Sequence, residues 1–577
     1  MRKNIRTGLV FAGMAVMLAG CGQNAATATT AAATGTEAAT EIAVETAEAA
    51  KEEAEQVKAG APIEGAVNIV LSDAGITVDG KAISENAEDA VYAANDIVYY
   101  EAGKDFKYGE GSAEDEHSKE EADAHTVVHI TKAGTYAVSG QISAGQIAID
   151  LGKEAKEDPE AVVTLIMNGA EINCSVAPGV IFYNVYECGS DDEETATKDV
   201  DTSAAGANVI IADGTVNQVN GSYVARIYKS IELSEDGTKV VDNKKLHKYD
   251  AAFYSKMSMN VNGGEEGTGI LNIQAENEGL DSELHLTLNG GNVNIVSGND
   301  GINTNEDYVS VTTVNDGTLT IRVNGSTGEG DGIDSNGWLV INGGTVIAEG
   351  CGFSMDAGID SDMGIHINGG TVIASGNMLD HISESAQNYA VFTFADRFES
   401  GESITLKDAN GNEVVSCAPE NNFTYLVVSD AAMNEGTYTL WAGETQLSGA
   451  EGEGGFGGFG GMMGGFPGGM PEGFEPGEFK PENMPEGFGK GEFKPENMPE
   501  DFGKGEFKPE NMPEGFGKGG FKPENMPGGG NGGPRPQGGG RPGGNRGDRG
   551  NRGNAEVASD FTIKAGGSYF NSVGIVK

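Results

Sequence analysis

The chain has 577 residues, of which 90 are glycine and only 7% are aromatic, and its formal net charge at pH 7 is −51. So large a negative charge excludes nucleic acid and anionic membrane surfaces as direct partners, because like charges repel. The same repulsion keeps out a polyanionic ligand unless a divalent cation lies between the two sets of carboxylates.

The N-terminus has the layout of a secretory signal. Three basic residues within the first six positions precede an apolar run over residues 9–18, which is too short to span a bilayer. The run ends in Leu18-Ala19-Gly20-Cys21, which resembles a bacterial lipobox. That resemblance implies cleavage before Cys21, so that residues 1–20 are a lipoprotein signal peptide. A lipid on the Cys21 thiol would then anchor the secreted protein to the membrane at the bacterial cell surface.

Two segments precede the first regular pattern. Residues 21–60 consist mainly of Ala, Thr and Glu without an aromatic residue, a composition that predicts a disordered spacer. Residues 61–124 are predicted to form a cap over the end of the strand-rich domain that follows. A cap is needed there because the unpaired edge of a sheet invites aggregation.

Residues 125–447 are predicted to form an all-β domain whose strands stack in parallel. Short runs of alternating apolar and polar residues, such as Thr126-Val127-Val128-His129-Ile130, are separated by glycine turns. Within this region one tetrapeptide recurs, with starts 22, 31 and 26 residues apart and a degenerate copy 27 residues before the first. The copies are Ala252-Phe253-Tyr254-Ser255, Gly279-Leu280-Asp281-Ser282, Gly301-Ile302-Asn303-Thr304, Gly332-Ile333-Asp334-Ser335 and Gly358-Ile359-Asp360-Ser361. A period in the twenties built from short strands predicts a β-solenoid with one coil per repeat.

One coil can be interpreted residue by residue. Ile333 and Ser335 should point inward and Asp334 outward, because side chains alternate along a strand. An Asn-Gly-Gly turn follows the start of most copies by ten residues, and its glycine supplies the positive φ of a sharp corner. Stacked coils align identical side chains, so the corner asparagines should form a ladder of amide hydrogen bonds.

Acidic and amide side chains cluster where three successive coils begin. The three sets are Asp300, Asn303 and Asn305; Asp331, Asp334 and Asn336; and Asp356, Asp360 and Asp362. Stacking places the sets about 4.8 Å apart on one edge, where like charges are unfavourable unless they share a cation. Calcium suits them, because it accepts many oxygen ligands in irregular geometry. The alternative is that they are ordinary turn residues that cap each strand.

Few basic residues accompany these acids. Between Phe253 and Phe394 the chain has only Lys256 and Arg322, and Lys256 is expected to pair with Glu283 of the neighbouring coil. Either residue is a candidate base for a calcium-dependent polysaccharide lyase. No second basic residue accompanies either one to neutralise a uronate carboxylate, which weakens that alternative.

Two aromatic residues are candidates for contact with a sugar. Tyr308 and Trp338 lie next to the acidic sets in sequence, and an exposed ring can stack on the face of a sugar. Packing beneath a loop is the alternative role for both. Cys174 and Cys188 either form a disulfide outside the cell or are small buried apolar residues.

The C-terminal part changes character. Residues 448–555 are rich in Gly, Pro and Met and include a 14-residue repeat that starts at Lys480, Lys494, Lys508 and, truncated, at Lys522. This segment is predicted to be a disordered insertion, because it lacks the apolar periodicity that would offset its ordering entropy. Strand-like sequence returns in residues 556–577, which are predicted to form a last packed element.

The stretch from Thr126 to Gly376 resembles the carbohydrate-binding β-helix family of clostridial cell-surface proteins. The motifs that carry the resemblance are residues 130–140 (ITKAGTYAVSG), residues 165–172 (LIMNGAEI) and the Asp-x-Gly-Ile-Asp-Ser coils. The resemblance implies a right-handed parallel β-helix, shaped like a pectate lyase, that binds calcium and plant polysaccharides such as cellulose or pectin. It favours binding over cleavage, and its calcium positions correspond to the Asp and Asn sets named above.

Together these observations predict a lipid-anchored surface protein that binds calcium and captures polysaccharide. A calcium-dependent lyase and a structural envelope protein or adhesin are the alternatives.

Overall fold

The computed structural model describes residues 57–58, 60–452 and 557–575. By its internal contacts the chain divides into one unit of residues 1–462 with 555–577 and a second unit of residues 463–554. The signal peptide, Cys21, nearly all of the spacer and nearly all of the Gly/Pro-rich insertion lie outside the described residues. In the part of the chain that is described, no helix is both long enough and apolar enough to cross a membrane.

The described chain is all-β, as predicted, with one short α-helix. Its first part contains β1 (Val67–Leu71), β2 (Thr77–Val78), β3 (Lys81–Ala82), β4 (Val91–Ala94), α1 (Lys119–Asp123), β5 (Thr126–Ile130), β6 (Gly134–Ile142), β7 (Gly145–Asp150), a 3-10 helix (Lys153–Glu157), β8 (Val163–Cys174), β9 (Val180–Asn184), β10 (Ala207–Ile211) and β11 (Val216–Gly221). Its middle part contains β12 (Val224–Leu233), β13 (Val240–Tyr249), β14 (Ala251–Ser255), β15 (Met259–Gly263), β16 (Ile270–Ala275), β17 (Glu278–Ser282), β18 (His285–Leu288), β19 (Asn292–Ser297), β20 (Ile302–Thr304), β21 (Val311–Val314), β22 (Thr318–Val323), β23 (Ile333–Ser335), β24 (Trp338–Ile341), β25 (Thr345–Glu349), β26 (Gly364–Ile367) and β27 (Thr371–Gly376). Its last part contains β28 (Tyr389–Phe398), β29 (Ile404–Asp408), β30 (Glu413–Cys417), β31 (Phe423–Ser429), β32 (Gly436–Ala442), β33 (Thr445–Gln446), β34 (Ser448–Glu451), β35 (Val557–Ala558), β36 (Phe561–Ile563) and β37 (Gly567–Gly574).

The strands of successive repeats stack in three parallel columns. The first column contains β7, β9, β14, β17, β20 and β23. The second contains β8, β10, β15, β18, β21, β24 and β26. The third contains the end of β8 and then β11, β16, β19, β22, β25 and β27. Each repeat therefore adds one strand to every column, except that the last repeat meets the first column only through a bridge between Ile333 and Ile359. Residues that match in sequence become neighbours in space.

The tetrapeptides form the first column, and their apolar residues fill the core. Leu280, Ile302 and Ile333 lie in register and are completely buried. In β23 the first and third residues are buried and Asp334 is half-buried, which confirms the predicted alternation. The hydroxyl groups of Thr304 and Ser335 lie 2.9 Å apart inside the stack, so these inward polar groups satisfy each other.

The predicted asparagine ladder is present at the corners between the second and third columns. Each side-chain amide after the first donates to the side-chain oxygen of the preceding corner, with donor–acceptor distances of 2.9–3.1 Å. The ladder consists of Asn262, Asn289, Asn315, Asn342 and Asn368. Asn315 takes its place despite its irregular spacing in the sequence, because its repeat takes up the additional residues between the first and second columns.

Gly344 shows why the corner needs glycine. Its φ is +73°, and a Cβ added there would lie 2.7 Å from the carbonyl oxygen of Gly317 in the preceding repeat. A side chain at this position would therefore destabilise the fold in two ways, through the unfavourable backbone conformation and through steric overlap.

Replacing Gly344 by alanine is expected to destabilise the protein more than replacing Gly401. Gly401 has a similar φ of +80°, but no atom lies within 4 Å of its added Cβ, so it is a matched control for the conformational cost alone. We expect the Gly344→Ala variant to lose about 2 kcal/mol more than the Gly401→Ala variant, measured by urea denaturation. Equal losses would contradict the tight packing of the corner.

The strands of residues 61–124 pair with the beginning of the stack. Strand β1 runs parallel to β6, whereas β4 runs antiparallel to β5. Helix α1 begins with a capping box, in which Ser118 accepts a hydrogen bond from the Glu121 amide and the Glu121 side chain accepts one from Ser118.

The parallel register ends earlier than predicted. The repeat pattern predicts a parallel stack up to residue 447, but β27 pairs antiparallel with β31, which in turn pairs antiparallel with β28. These strands and the C-terminal strands enclose a second core, where Phe392 packs at 5.3 Å from the rings of both Phe561 and Phe570. Alternation of apolar residues does not distinguish parallel from antiparallel strands, which explains the difference.

The cysteines of the described chain are free. Cys174 is buried and Cys188 is half-buried, and burial raises the pKa of both thiols, to about 12 and about 11. Cys174 is therefore a small buried apolar residue and not half of a disulfide with Cys188.

Candidate functional site

We use the name acidic edge for the residues that begin the repeats of the first column, from Asp250 to Asp380. One row of this edge contains Glu278, Asp300 and Asp331, since Leu280, Ile302 and Ile333 are in register two residues further on. The amide of Asp331 donates to Oδ1 of Asp300 at 2.6 Å. The amide of Ala357 donates to Asp331 in the same way one repeat later. Asp300 and Asp331 thus cap the backbone of the following repeat, so the structural role given as the alternative applies to these two residues.

A second row lies three residues further along each strand, on the outward face. It contains Asp281, Asn303, Asp334 and Asp360. The side-chain amide of Asn305 donates to both oxygens of Asp281, at 2.8 and 2.9 Å. Buried oxygens of Asn303 and Asp360 have no hydrogen-bond partner within the described residues. Buried polar atoms normally have a partner, so these two oxygens are unused acceptors within the row.

The remaining predicted ligands lie beside this row. The Asn336 amide donates to the Asn305 carbonyl oxygen at 3.1 Å and to Asp307 at 3.0 Å. Asp362 is exposed, but partial desolvation of its carboxyl group, followed by repulsion from Asp307 and Asp380, raises its pKa to about 6. Asp356 accepts a hydrogen bond of 2.9 Å from the Gly330 amide. The structure therefore brings the nine predicted ligands to one edge, with Asp307 and Asp380 as additional carboxylates.

Burial and mutual repulsion raise the pKa values of these carboxyl groups. Burial, with repulsion from Asp334, raises the pKa of Asp300 to about 7. Burial raises the pKa of Asp334 to about 6, and repulsion from Asp362 and Asp380 adds to the shift. The pKa of Asp360 rises to about 8 through burial and then repulsion from Asp380. The charged groups with the largest effects on the pKa values of Asp334 and Asp360 are all carboxylates. When these groups ionise, this end of the edge therefore carries negative charge that no nearby cation of the described chain compensates.

A further cluster lies at the other end of the edge. Carboxylate oxygens of Asp250, Glu278 and Asp281 lie within 4.8 Å of one another, and all three residues are buried. One oxygen of Glu278 has no hydrogen-bond partner in the described chain. Burial raises the pKa of all three, followed in Glu278 by repulsion from Asp250 and Asp281. Sequence reasoning missed this cluster, although Asp281 occupies the same place in its tetrapeptide as Asp334.

The ion pair predicted between Lys256 and Glu283 is wrong. Glu283 pairs instead with Lys245, whose Nζ lies 3.1 Å from its Oε1, and it also accepts a hydrogen bond from Tyr254. Lys256 forms no ion pair within the part of the chain that is described. Lys245 belongs to an antiparallel hairpin of β12 and β13, an insertion between the third and first columns that the repeat pattern does not reveal.

The same hairpin supplies a second cation to this end of the edge. Lys248 Nζ lies 2.5 Å from Asp250 Oδ2. Burial lowers the pKa of Lys248, but Asp250 and the neighbouring acids outweigh it, so the pKa is raised and the charged ammonium form is favoured. Lys248 is thus a counter-ion and is poorly suited to act as a base.

Arg322 lies in the third column, on β22, away from the strands of the acidic edge. Its Nε is 3.3 Å from Glu420 Oε2, and both side chains are partly exposed. In the described structure Arg322 therefore forms a partly exposed ion pair at the surface.

The two predicted aromatic residues lie in different settings. Tyr308 is half-buried in the loop before β21 with a φ of +63°, and its pKa is raised by burial and then by Asp362 and Asp307. Tyr308 therefore borders the acidic edge. Trp338 is half-buried at the start of β24, in register with Val311 and Gly364. Contact with a sugar remains a prediction for both.

The architecture defines an all-β protein with a stack of parallel repeats and an acidic edge. Residues 124–454 match the model of the carbohydrate-binding domain-containing protein family, which is more than half of the chain. The chain belongs to this family.

The comparison with solved structures includes a polysaccharide lyase-like protein from C. thermocellum, described as a gadolinium derivative. It is 18% identical in sequence, with a TM-score of 0.32, and the match covers 56% of this chain and 93% of that chain. No curated protein matches the chain.

Proposed function

We propose that this chain is a calcium-containing polysaccharide-binding protein of the bacterial cell surface, with ligands of the cellulose or pectin type. The observation that carries the proposal is the membership of residues 124–454 in a carbohydrate-binding domain family. The three parallel columns support a right-handed parallel β-helix as the fold of this domain. The lipobox-like sequence that ends at Cys21 supports a lipid anchor at the membrane.

The donor set of the acidic edge fits calcium. Its side chains offer carboxylate and amide oxygens, which calcium prefers, and no His or Cys is among the nine predicted ligands. The unused buried oxygens of Asn303 and Asp360 are acceptors that a cation would satisfy. Bound calcium would also offset the repulsion between Asp334, Asp360 and their neighbours. Asp334, Asp360 and Asn303 are the residues that would hold the ion.

Calcium at this edge would allow acidic polysaccharide to bind despite the net charge. A carboxylate-bearing glycan is repelled by the bare edge, whereas a divalent cation attracts both partners. Tyr308 borders this surface and would offer a ring to a sugar face.

We expect the purified chain to be retained on immobilised polygalacturonate in the presence of calcium and to elute with a chelator. The expected result includes no new chain ends, measured by absorbance of unsaturated uronides. A variant with Asp334→Asn and Asp360→Asn should lose retention, because the cation would no longer bridge protein and glycan.

Two outcomes would contradict parts of this proposal. Release of unsaturated uronides that disappears on Lys256→Ala or Arg322→Ala would establish the lyase alternative. Absence of retention on every polysaccharide tested, neutral or acidic, would favour a structural envelope protein or adhesin.

A further inference from the structure

A groove follows the Asn-Gly corners on a different side of the repeats from the acidic edge. It has a volume of about 1100 Å³ and crosses five successive corners, from the Asn262 repeat to the Gly370 repeat. Residues 263–267 line the groove at the first of these corners, and residues 430–432 with Asn434 line it after the last. With strands about 4.8 Å apart, four steps between five corners give a length of about 19 Å. A groove of this length accommodates several sugar units of an extended chain.

Glycines form much of the groove lining. Added Cβ atoms at Gly317, Gly344 and Gly370 would each lie within 2.7 Å of backbone atoms of the preceding repeat. Because no side chain fits there, the backbone of each corner faces the groove directly. The groove is therefore continuous from one repeat to the next.

A row of polar side chains borders this floor. Thr318, Thr345 and Thr371 are in register at the start of the third-column strands, with Asn292 at the same position one repeat earlier. All four are half-buried and line the groove. Thr371 donates to Asp430 at 2.6 Å, whereas the hydroxyls of Thr318 and Thr345 have no hydrogen-bond partner within the described residues. Free hydroxyls are thus present in two successive repeats, at Thr318 and Thr345, about 4.8 Å apart.

The charge of the groove selects the class of ligand. Its lining includes the carboxylates of Glu265, Glu266, Asp316 and Asp430 and contains no Lys, Arg or His. A uronate chain would be repelled, while the hydroxyl groups of a neutral sugar can donate to these carboxylates and exchange hydrogen bonds with threonine. No aromatic ring lines the groove, so recognition would depend on hydrogen bonds.

We propose that this groove binds an extended neutral polysaccharide whose chain runs along the stack of repeats. The repeat spacing is close to the length of one β-linked hexose unit, so successive sugars would meet the glycine and threonine positions of successive corners, with the carboxylates of Glu265, Asp316 and Asp430 at separate points along the chain. The proposal rests on the proposed polysaccharide-binding function and adds a site that is separate from the acidic edge and needs no calcium.

The test is calorimetric titration of the full chain with cellohexaose, in calcium and in chelator. We expect binding in both conditions. The double variant Thr318→Val, Thr345→Val should bind about tenfold more weakly, because two hydrogen bonds of ordinary strength are lost while the side-chain shape is kept. The matched control is Thr320→Val, which changes a half-buried threonine on the same strand that does not line the groove.

Each result separates the groove from the broader proposal. Weaker binding by the double variant, with the control unchanged and equal melting temperatures, would support the groove. Cellohexaose binding that is the same in the double variant would overturn the groove and leave polysaccharide binding intact, as would binding of oligogalacturonate alone. Failure to bind any polysaccharide would overturn both proposals.

Discussion

Replacing Asp334 and Asp360 together by asparagine is expected to raise the melting temperature in chelator and to abolish the stabilisation by calcium. Both carboxyl groups are destabilised by burial and by repulsion from neighbouring carboxylates. Asparagine keeps the shape and removes the charge, so the metal-free protein gains stability. A ligand at 100 times its dissociation constant stabilises the folded state by about 2.7 kcal/mol. The variant should lose a calcium-dependent stabilisation of this size.

The experiment is thermal unfolding at pH 8 with calcium and with chelator, combined with calcium stoichiometry by equilibrium dialysis. The matched control is Glu64→Gln with Glu114→Gln, which changes the net charge equally at two exposed positions. This control should keep the response to calcium. If calcium fails to change the melting temperature of the unsubstituted protein, the proposed cation site is wrong.

A substitution at Asp331 tests the row of the acidic edge that contains Glu278, Asp300 and Asp331. Replacing Asp331 by alanine removes a carboxylate and also the acceptor of the Ala357 amide. Its effect would combine charge and capping, so the Asp334 and Asp360 pair is the cleaner test.

The metal-free protein is expected to become less stable as the pH rises from about 4 to about 8. The folded pKa values of Asp334, Asp300 and Asp360 are about 6, 7 and 8. In the unfolded chain an aspartate has a pKa of about 3.9, so the folded state holds protons that the unfolded state releases. The favourable contribution is complete below about pH 4 and is lost as the pH rises through the folded pKa values. Each such proton contributes about 1.4 kcal/mol per pH unit within this window.

Calcium should reverse the trend, because the ion binds the deprotonated carboxylates and its affinity rises with pH. Urea unfolding in chelator and in calcium should therefore give free energies that diverge toward pH 8. The Asp334→Asn, Asp360→Asn variant should show a shallower pH dependence in chelator. Stability in chelator that stays constant or increases between about pH 5 and about pH 8 would contradict the raised pKa values.

The repeat pattern predicted a large part of the fold and of the candidate site. The Asn-Gly corners led to the amide ladder from Asn262 to Asn368, which the structure confirms. The tetrapeptides predicted which side chains point inward in the first column. These predictions succeeded because stacking in parallel register places residues with the same place in the repeat beside one another.

Features outside the repeat were not predicted. The β12–β13 hairpin places Lys245 beside Glu283 and Lys248 beside Asp250. These contacts could not be predicted, because the two lysines lie in an insertion without a match in other repeats. Asp250 is separated from Glu278 by a whole repeat, so its place in the buried cluster depended on where the hairpin rejoins the first column.

The sequence by itself determined the strand content, the corner glycines, the asparagine ladder and the row of acids, because all of them follow from local periodicity and repetition. Only the tertiary structure decided which cations reach the acids, which carboxylate oxygens stay without a partner, and where parallel pairing ends. Those properties depend on burial and on contacts between segments with no common period. The electrostatics of a buried carboxylate is set by its surroundings in space, and an insertion changes those surroundings without changing the repeat.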